Sequence, residues 1–162
     1  MKVSLAWFAL LTFLGTGAVF AQAAPVIGNP DHEALLASSD PKLAANKRLV
    51  YDFWREVFEG GHLDLAPKYM TESYIQHNPL VASGRDTFVN FFAKFAQPKP
   101  IEPKVKTPLV AILAEGDLVT MVFVRELEDP KDKTQKYTTT WFDMWRIENG
   151  KMAEHWDAAT KQ

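Results

Sequence analysis

The C-terminal part of the chain carries two carboxylates and an imidazole at spacings that could support proton transfer. Asp143 lies in the strand-like run 137–147, and His155 and Asp157 lie in the run 151–157. Residues two apart on a strand point to the same side, so His155 and Asp157 should face the same space. An Asp buried among aromatic side chains acquires a raised pKa and can act as a general base. We therefore expect Asp157 to remove a proton α to a carbonyl, while His155 orients it or relays the proton.

Asp143 needs its own explanation, because it lies between Phe142 and Met144 in the middle of a predicted strand. A carboxylate in apolar surroundings is costly unless it is hydrogen-bonded or protonated. We expect it to stabilise a developing oxyanion. The alternative is a structural role, as the partner of an arginine or of a buried hydroxyl such as that of Tyr74.

Which of these side chains meet depends on the turn of the last hairpin, and the sequence is compatible with two turns. A two-residue turn pairs Asp143 with Trp156 and leaves His155 on the opposite face. A three-residue loop pairs Asp143 with His155 and Trp141 with Asp157. A slip of one residue moves every side chain to the other face, so only the second turn gathers the polar groups. We favour the three-residue loop.

This register predicts two different faces of the hairpin. The first is mixed polar and aromatic and suits a ligand pocket; its members are Trp141, Asp143, Trp145, His155 and Asp157. The opposite face carries Phe142, Met144 and Trp156. An exposed apolar face favours a partner, so we expect a homodimer that forms through the sheet.

A second group of candidate residues lies where a short strand meets Pro79. His77 could polarise a carbonyl, and Asn78 could hold an oxyanion or a water molecule. The alternative is that both side chains cap the backbone of the loop, as Asn commonly does. The substrate-binding walls are expected to be aromatic, although such residues are also typical of plain core; they are Trp54, Tyr74, Phe91, Trp141 and Trp145.

The elements that position these residues follow from periodicity and from turn residues. Asp40 followed by Pro41 is typical of a helix start, and apolar residues spaced by three and four predict a helix that ends at Gly60. Shorter helices are expected over 63–70 and after Gly84. The predicted strands are 74–77, 105–113, 118–126, 137–147 and 151–157. Helices followed by an antiparallel meander indicate an α+β fold, with helices packed on one face of a curved sheet.

Composition excludes several classes of protein. The chain has 162 residues and a formal charge of −2, which suits one domain and argues against nucleic-acid binding. It has no cysteine, so disulfide scaffolds and thiol nucleophiles are excluded. His and carboxylate residues show no HxH or HExxH spacing, so we expect no metal and no cofactor.

The N-terminus predicts export. Lys2 is followed by an apolar run and by an A-x-A site that ends at Ala23, the order of a secretory signal peptide. We expect cleavage after Ala23, a secreted or periplasmic protein, and no stable membrane association afterwards. Residues 24–39 are interpreted as a mobile linker, and residues 40–158 as the domain.

Three segments of the chain resemble the SnoaL-like branch of the NTF2-like superfamily, over roughly residues 43–157. The segments read YIQHNP at 74–79, DMWRIENGK at 143–151 and EHWD at 154–157. The resemblance implies a cone-shaped α+β barrel, with N-terminal helices packed on a strongly curved, mostly antiparallel sheet. It also implies a pocket at the wide end and assembly into dimers or tetramers through the sheet.

The resemblance carries over site residues only in part. Family polyketide cyclases use a pocket Asp on the last strand as general base, and Asp157 matches that position. Asp143 stands where those cyclases have a His and where ketosteroid isomerases have a protonated Asp. The base of the isomerases corresponds to Asn78, which cannot accept a proton usefully.

The functional expectation is therefore a cofactor-independent acid–base enzyme. It would be an aldol-type lyase or an isomerase, acting on a small, partly apolar carbonyl compound. The alternative is a non-catalytic module of the same fold that binds a small molecule or oligomerises. Export favours scavenging, detoxification or binding over biosynthesis.

Overall fold

The computed structural model describes residues 24–161, so the predicted signal peptide at 1–23 lies outside the described residues. The α-helices are α1 (His32–Leu36), α2 (Pro41–Phe53), α3 (Ala66–Tyr69) and α4 (Arg85–Phe92). The strands are β1 (Met70–Gln76), β2 (Leu109–Glu115), β3 (Leu118–Glu128), β4 (Lys136–Glu148) and β5 (Lys151–Asp157). Among these residues, no helix combines the length and the apolarity that a membrane crossing requires.

The longest helix begins as its sequence predicts. The Asp40 carboxylate accepts hydrogen bonds from the N–H groups of Lys42 and Leu43, while Pro41 contributes no N–H that would need a partner. After Phe53 the chain continues as a π-helical segment, Trp54–Glu59, which ends at Gly60. A π-helical turn changes the angle between successive side chains, and such turns are frequent at functional sites.

The five strands form one sheet in the order β1-β5-β4-β3-β2. All pairs are antiparallel except β1 with β5, which is parallel. The helices cover the inner face of the sheet, and the core between the layers includes Val57, Tyr69, Met121, Trp145 and Met152. The α+β prediction is confirmed, with helices on one side of a mostly antiparallel sheet.

Both hairpin registers that the sequence allows are wrong in detail. The turn has two residues, Asn149 and Gly150, each with a positive φ, and Glu148 pairs with Lys151. This pair of positive φ angles is the geometry of a type I′ turn. The pairing then shifts by one residue between Met152 and Glu154, on the far side of the turn.

The shift restores the face that the three-residue loop would have given. Asp143 now pairs with Asp157, and Trp145 pairs with His155. A bulge of one residue reverses the face of everything beyond it, so the extra residue Ala153 returns His155 and Asp157 to the side of Asp143. The predicted grouping of the polar side chains is right, and the predicted partners within it are wrong.

Residues 24–39, interpreted above as a mobile linker, pack on the domain instead. Asn29 donates its N–H to the carbonyl of Leu109 on β2. His32, at the start of α1, is 7 % exposed and its Nδ1 lies 2.8 Å from the hydroxyl of Tyr51 on α2. This segment therefore contacts both β2 and α2.

Candidate functional site

A pocket of about 200 Å³ opens between the helices and the inner face of the sheet. Its polar lining comes from the end of β1, from the loop that follows it and from the facing parts of β4 and β5: Tyr74, Gln76, Asn78, Asp143, His155 and Asp157. Its apolar lining is mostly aromatic: Phe53, Trp54, Phe58, Val81, Phe88, Phe92, Trp141 and Trp145. Polar groups that converge in an aromatic cavity are the usual form of a small-molecule site.

Asp143 and His155 are hydrogen-bonded to each other at the inner end of the polar row. Asp143 Oδ1 lies 2.9 Å from His155 Nε2, and the two residues are 5 % and 7 % exposed. Their strands bring them together diagonally, since Asp143 pairs with Asp157 and His155 with Trp145. The sequence predicted that His155 would orient Asp157 or relay its proton, whereas in the structure His155 is hydrogen-bonded to Asp143.

Gln76 fixes the tautomer of His155. Its Oε1 lies 2.6 Å from His155 Nδ1 and also accepts the N–H of Asn78 at 3.1 Å. The Asn78 N–H can only donate, so this end of the Gln76 amide must be the oxygen. His155 Nδ1 therefore carries a hydrogen, and a single proton lies between Nε2 and Asp143.

The second oxygen of Asp143 is free. Oδ2 is buried and has no hydrogen-bond partner among residues 24–161, while the side chain lines the pocket. Burial raises the pKa of Asp143 above the ordinary value, more than the His155 contact lowers it. A buried, unpartnered oxygen on a carboxyl with a raised pKa can accept a proton or a hydrogen bond from a bound ligand.

Asp157 is held differently. Its Oδ2 accepts a hydrogen bond from Asn78 Nδ2 at 2.6 Å, and its Oδ1 accepts the N–H of Ala159 at 2.8 Å. Both oxygens thus have donors, and the carboxylate is fixed at the pocket rim. Asn78 was predicted to hold an oxyanion or a water molecule; in the structure its amide holds Asp157.

Tyr74 contributes a phenol at the base of the pocket. The residue is 1 % exposed. Burial, together with the nearby carboxylates Asp143 and Asp157, raises its pKa far above the ordinary value. The phenol therefore keeps its proton at neutral pH and can donate a hydrogen bond to a ligand oxygen.

The π-helical segment supplies one aromatic wall. Trp54 stacks on Phe123 with ring centroids 4.3 Å apart, and Phe58 lies at the same distance on its other side. The indole N–H of Trp54 donates to Glu59 at 3.2 Å. These contacts hold the Trp54 ring, so this wall is rigid. The expected lining role of Trp54 agrees with its position, as does that of Tyr74, Trp141 and Trp145.

His77 does not reach the pocket, so its prediction as a site residue is wrong. It lies on the outer side of β1, stacks on Trp156 at 4.8 Å and contacts Glu154 at 3.0 Å. The reason is alternation: Tyr74 and Gln76 point inward, so the next residue points outward. The pocket residue that the sequence reasoning missed is Gln76, and the same alternation could have identified it.

Phe91 is also misplaced by the sequence reasoning. It lies on the half-exposed side of α4, against Phe95 and Lys94, and does not line the pocket. Phe88 and Phe92, four residues apart, form the lining instead. With 3.6 residues per turn, Phe92 lies about 40° from Phe88 around the helix, whereas Phe91 lies about 100° from Phe92.

The polar row could in principle bind a cation. Asp143, His155 and Asp157 each offer one ligand atom, and these atoms lie within 4.8 Å of one another. In the present arrangement His155 Nε2 is directed at Asp143, so a metal ion would have to separate the pair. The expectation of no metal therefore remains a prediction.

Comparisons with known proteins place this geometry in a family. The family model described as SnoaL-like domain matches residues 50–155. No curated protein sequence matches the chain significantly.

The fold is similar to solved structures at low identity. One, from Jannaschia sp. CCS1, is provisionally named a SnoaL-like polyketide cyclase; it is 16% identical with a TM-score of 0.51, covering 75% of this chain and 91% of that one. Another, an NTF2-like protein of unknown function from Burkholderia pseudomallei K96243, is 16% identical with a TM-score of 0.50, covering 72% and 91%. These similarities establish the fold.

Proposed function

The chain belongs to the SnoaL-like domain family, and we propose that its pocket removes a proton from the carbon next to the carbonyl of a small, partly apolar compound. One observation carries the proposal. The free Oδ2 of Asp143 lies buried in an aromatic pocket, while its other oxygen shares a proton with His155. A carboxyl in that setting can act as a general base toward a ligand bound in the pocket.

Hydrogen bonding favours Asp143 over Asp157 as the base. Both oxygens of Asp157 already accept hydrogen bonds from Asn78 and Ala159, so neither oxygen is left without a partner. Asp143 has one free oxygen and a raised pKa. Asp157, which the sequence favoured, then serves to orient the ligand together with Asn78.

The proton movements balance within the polar row. Oδ2 of Asp143 takes the α-proton, and the proton in the Oδ1–Nε2 bond moves fully onto His155. The imidazolium donates from Nδ1 to Gln76 and from Nε2 to Asp143, so both of its N–H groups have acceptors. The negative charge on the substrate then lies on its enolate oxygen. The protonated Tyr74 stabilises this charge by donating a hydrogen bond from its hydroxyl.

The fate of the enolate decides the reaction class. Attack of its carbon on a second carbonyl of the same molecule forms a C–C bond and leaves an alkoxide. The alkoxide takes the proton back from Asp143 Oδ2, which completes an aldol-type cyclisation and restores the shared proton between Asp143 and His155. Return of the proton from Asp143 Oδ2 to a different carbon completes an isomerisation. Both outcomes need only acid–base groups, and the pocket volume of about 200 Å³ suits a small substrate or the reactive end of a larger one.

Exchange of α-protons tests this proposal without knowledge of the natural substrate. Phenylacetone in D2O would be followed by proton NMR with the wild-type protein and with His77→Asn, which alters a histidine on the outer face. We expect equal, protein-dependent loss of the α-proton signal with both. Line broadening of phenylacetone without exchange would support the alternative of a non-catalytic binding module.

We propose in addition that the chain is exported and dimeric. Support for export comes from the signal-like order of residues 1–23, and a secreted or periplasmic fraction whose protein starts at Ala24 would test it. Support for a homodimer through the sheet comes from the outer face, where Phe142, Met144 and Trp156 line a shallow groove of about 300 Å³.

A further inference from the structure

A second pocket, of about 300 Å³, adjoins the first and contains an arginine. Its lining comprises Trp54, Thr107, Phe123, Val124, Arg125 and Trp141. Trp54 and Trp141 line both pockets, so the two spaces are adjacent and share these two side chains. The first pocket alone is smaller than the ~300–1,000 Å³ of most ligand sites, so a ligand held at Asp143 can extend past Trp141.

Arg125 is placed on the pocket side of the sheet by strand alternation. It follows Phe123 by two residues on β3, and Phe123 pairs with Trp141 on the neighbouring strand β4. The guanidinium carbon of Arg125 lies 4.7 Å from the centre of the Trp141 ring. Stacking of this kind holds the flat guanidinium and leaves its N–H donors free at the edges.

Arg125 also lacks the acidic partner that the other arginines have. Among residues 24–161, the remaining four arginines all form salt bridges: Arg48, Arg55, Arg85 and Arg146. Arg125 forms none in the same range. Glu59, which is hydrogen-bonded to the pocket-lining residues Trp54 and Thr107, also accepts the N–H of Lys106.

We propose that Arg125 binds a carboxylate at the far end of the ligand whose carbonyl end lies at Asp143. The inference rests on the proposed function and names its substrate class: carbonyl compounds with an apolar middle and a carboxylate tail. A free, pre-oriented guanidinium matches the two oxygens of a carboxylate through paired N–H donors. The aromatic rings of Trp54 and Trp141 contact the apolar middle.

Two probes that differ only in charge test the subsite. 4-Phenylbutyrate and its neutral amide, 4-phenylbutyramide, would be titrated against the protein with tryptophan fluorescence as the readout. We expect the carboxylate to bind about tenfold more tightly, because a charge-assisted hydrogen bond replaces a neutral one. Arg125→Gln should abolish this preference, and Arg125→Lys, which retains the charge without the paired donors, should retain part of it.

Arg48→Gln is the matched control, because Arg48 pairs with Glu33 on the surface, and it should keep the full preference. Equal affinities for the two probes, an unchanged preference in Arg125→Gln, or no binding of either probe at millimolar concentration would each overturn the subsite. Exchange of phenylacetone protons is measured separately. Its presence alongside any of these results would leave the proposed function standing while the carboxylate subsite fails.

Discussion

His155 Nδ1 lies 2.6 Å from the side-chain oxygen of Gln76, and that oxygen is oriented by the N–H of Asn78. This contact links the end of β1 to β5 and determines which nitrogen of His155 carries the permanent hydrogen. The remaining nitrogen, Nε2, is thereby left to share a proton with Asp143. Gln76 is thus a positioning residue for the polar row, although it has no proton of its own to transfer.

Gln76→Leu should remove the hydrogen bond that fixes the tautomer of His155. We expect the α-proton exchange rate to fall about tenfold, a part of the ~10²–10⁴ that general acid–base catalysis contributes. Nitrogen-15 NMR of the His155 ring should change from the Nδ1–H form to a mixture. Gln135→Leu, on the exposed loop before β4, should change neither, and an unaltered tautomer in Gln76→Leu would remove Gln76 from this role.

Stability should depend on pH through Asp143. Its pKa is raised in the folded state by burial, so the folded state binds this proton more tightly than the unfolded chain does. The resulting stabilisation is present below the unfolded pKa of about 4 and is lost as the pH rises through the folded pKa. Asp143→Asn should lack this loss when unfolding by urea is followed over a pH series. The control Asp64→Asn, at an exposed position, should behave as wild type. If the stability of Asp143→Asn depended on pH as that of wild type does, the effect of burial on the pKa of Asp143 would be contradicted.

His32 should produce the opposite dependence. Its pKa is lowered by burial and then by the charge of Lys104. Tyr51 accepts the N–H of Val105, and its hydroxyl lies 2.8 Å from His32 Nδ1. As the pH falls, His32 therefore binds a proton at a higher pH in the unfolded chain than in the folded protein. The wild type should lose stability below about pH 6.5 for this reason.

The test for His32 is the slope of unfolding free energy against pH in the acid range. His32→Gln should flatten the slope, whatever its effect at neutral pH, and His62→Gln serves as a matched histidine elsewhere. Retention of the full slope in His32→Gln would assign the acid sensitivity to other groups.

Assembly should depend on the outer face of the sheet. Phe142 is 48% exposed there, and Phe142→Lys places a charge where a second copy would pack. We expect light scattering to give a dimer for wild type and a monomer for this variant. Tyr137→Lys is the control, because Tyr137 is 43% exposed on the same strand but points to the other face. A wild-type monomer would refute the proposed dimer.

The strands and their faces could be predicted from the sequence because apolar and polar residues alternate clearly. Predicted and observed bounds of β3, β4 and β5 differ by at most two residues. The bulge at Ala153 could not be predicted, since Ala carries none of the Gly or Pro signals that mark an irregular strand. The predicted turn was one residue too long and the bulge was not predicted. Each error moves the side chains to the opposite face, so the two together left the predicted polar face correct.

Other features depended on contacts between distant segments. His32 looks like a loop residue in the sequence, and only the packing of α1 against Tyr51 buries it. The π-helical turn that places Trp54 and Phe58 has no local signature in the run 54–59. Gln76, by contrast, could be predicted from alternation with Tyr74, because residues two apart on a strand point to the same side.

The most direct test of the account compares the two carboxylates in one assay. Exchange of the α-protons of phenylacetone would be measured for wild type, Asp143→Asn and Asp157→Asn, with binding of phenylacetone measured on the same samples. We expect Asp143→Asn to lower exchange by ~10²–10⁴ with binding retained, and Asp157→Asn mainly to weaken binding. Full exchange in Asp143→Asn, or its loss only in Asp157→Asn, would contradict the assignment of Asp143 as the base.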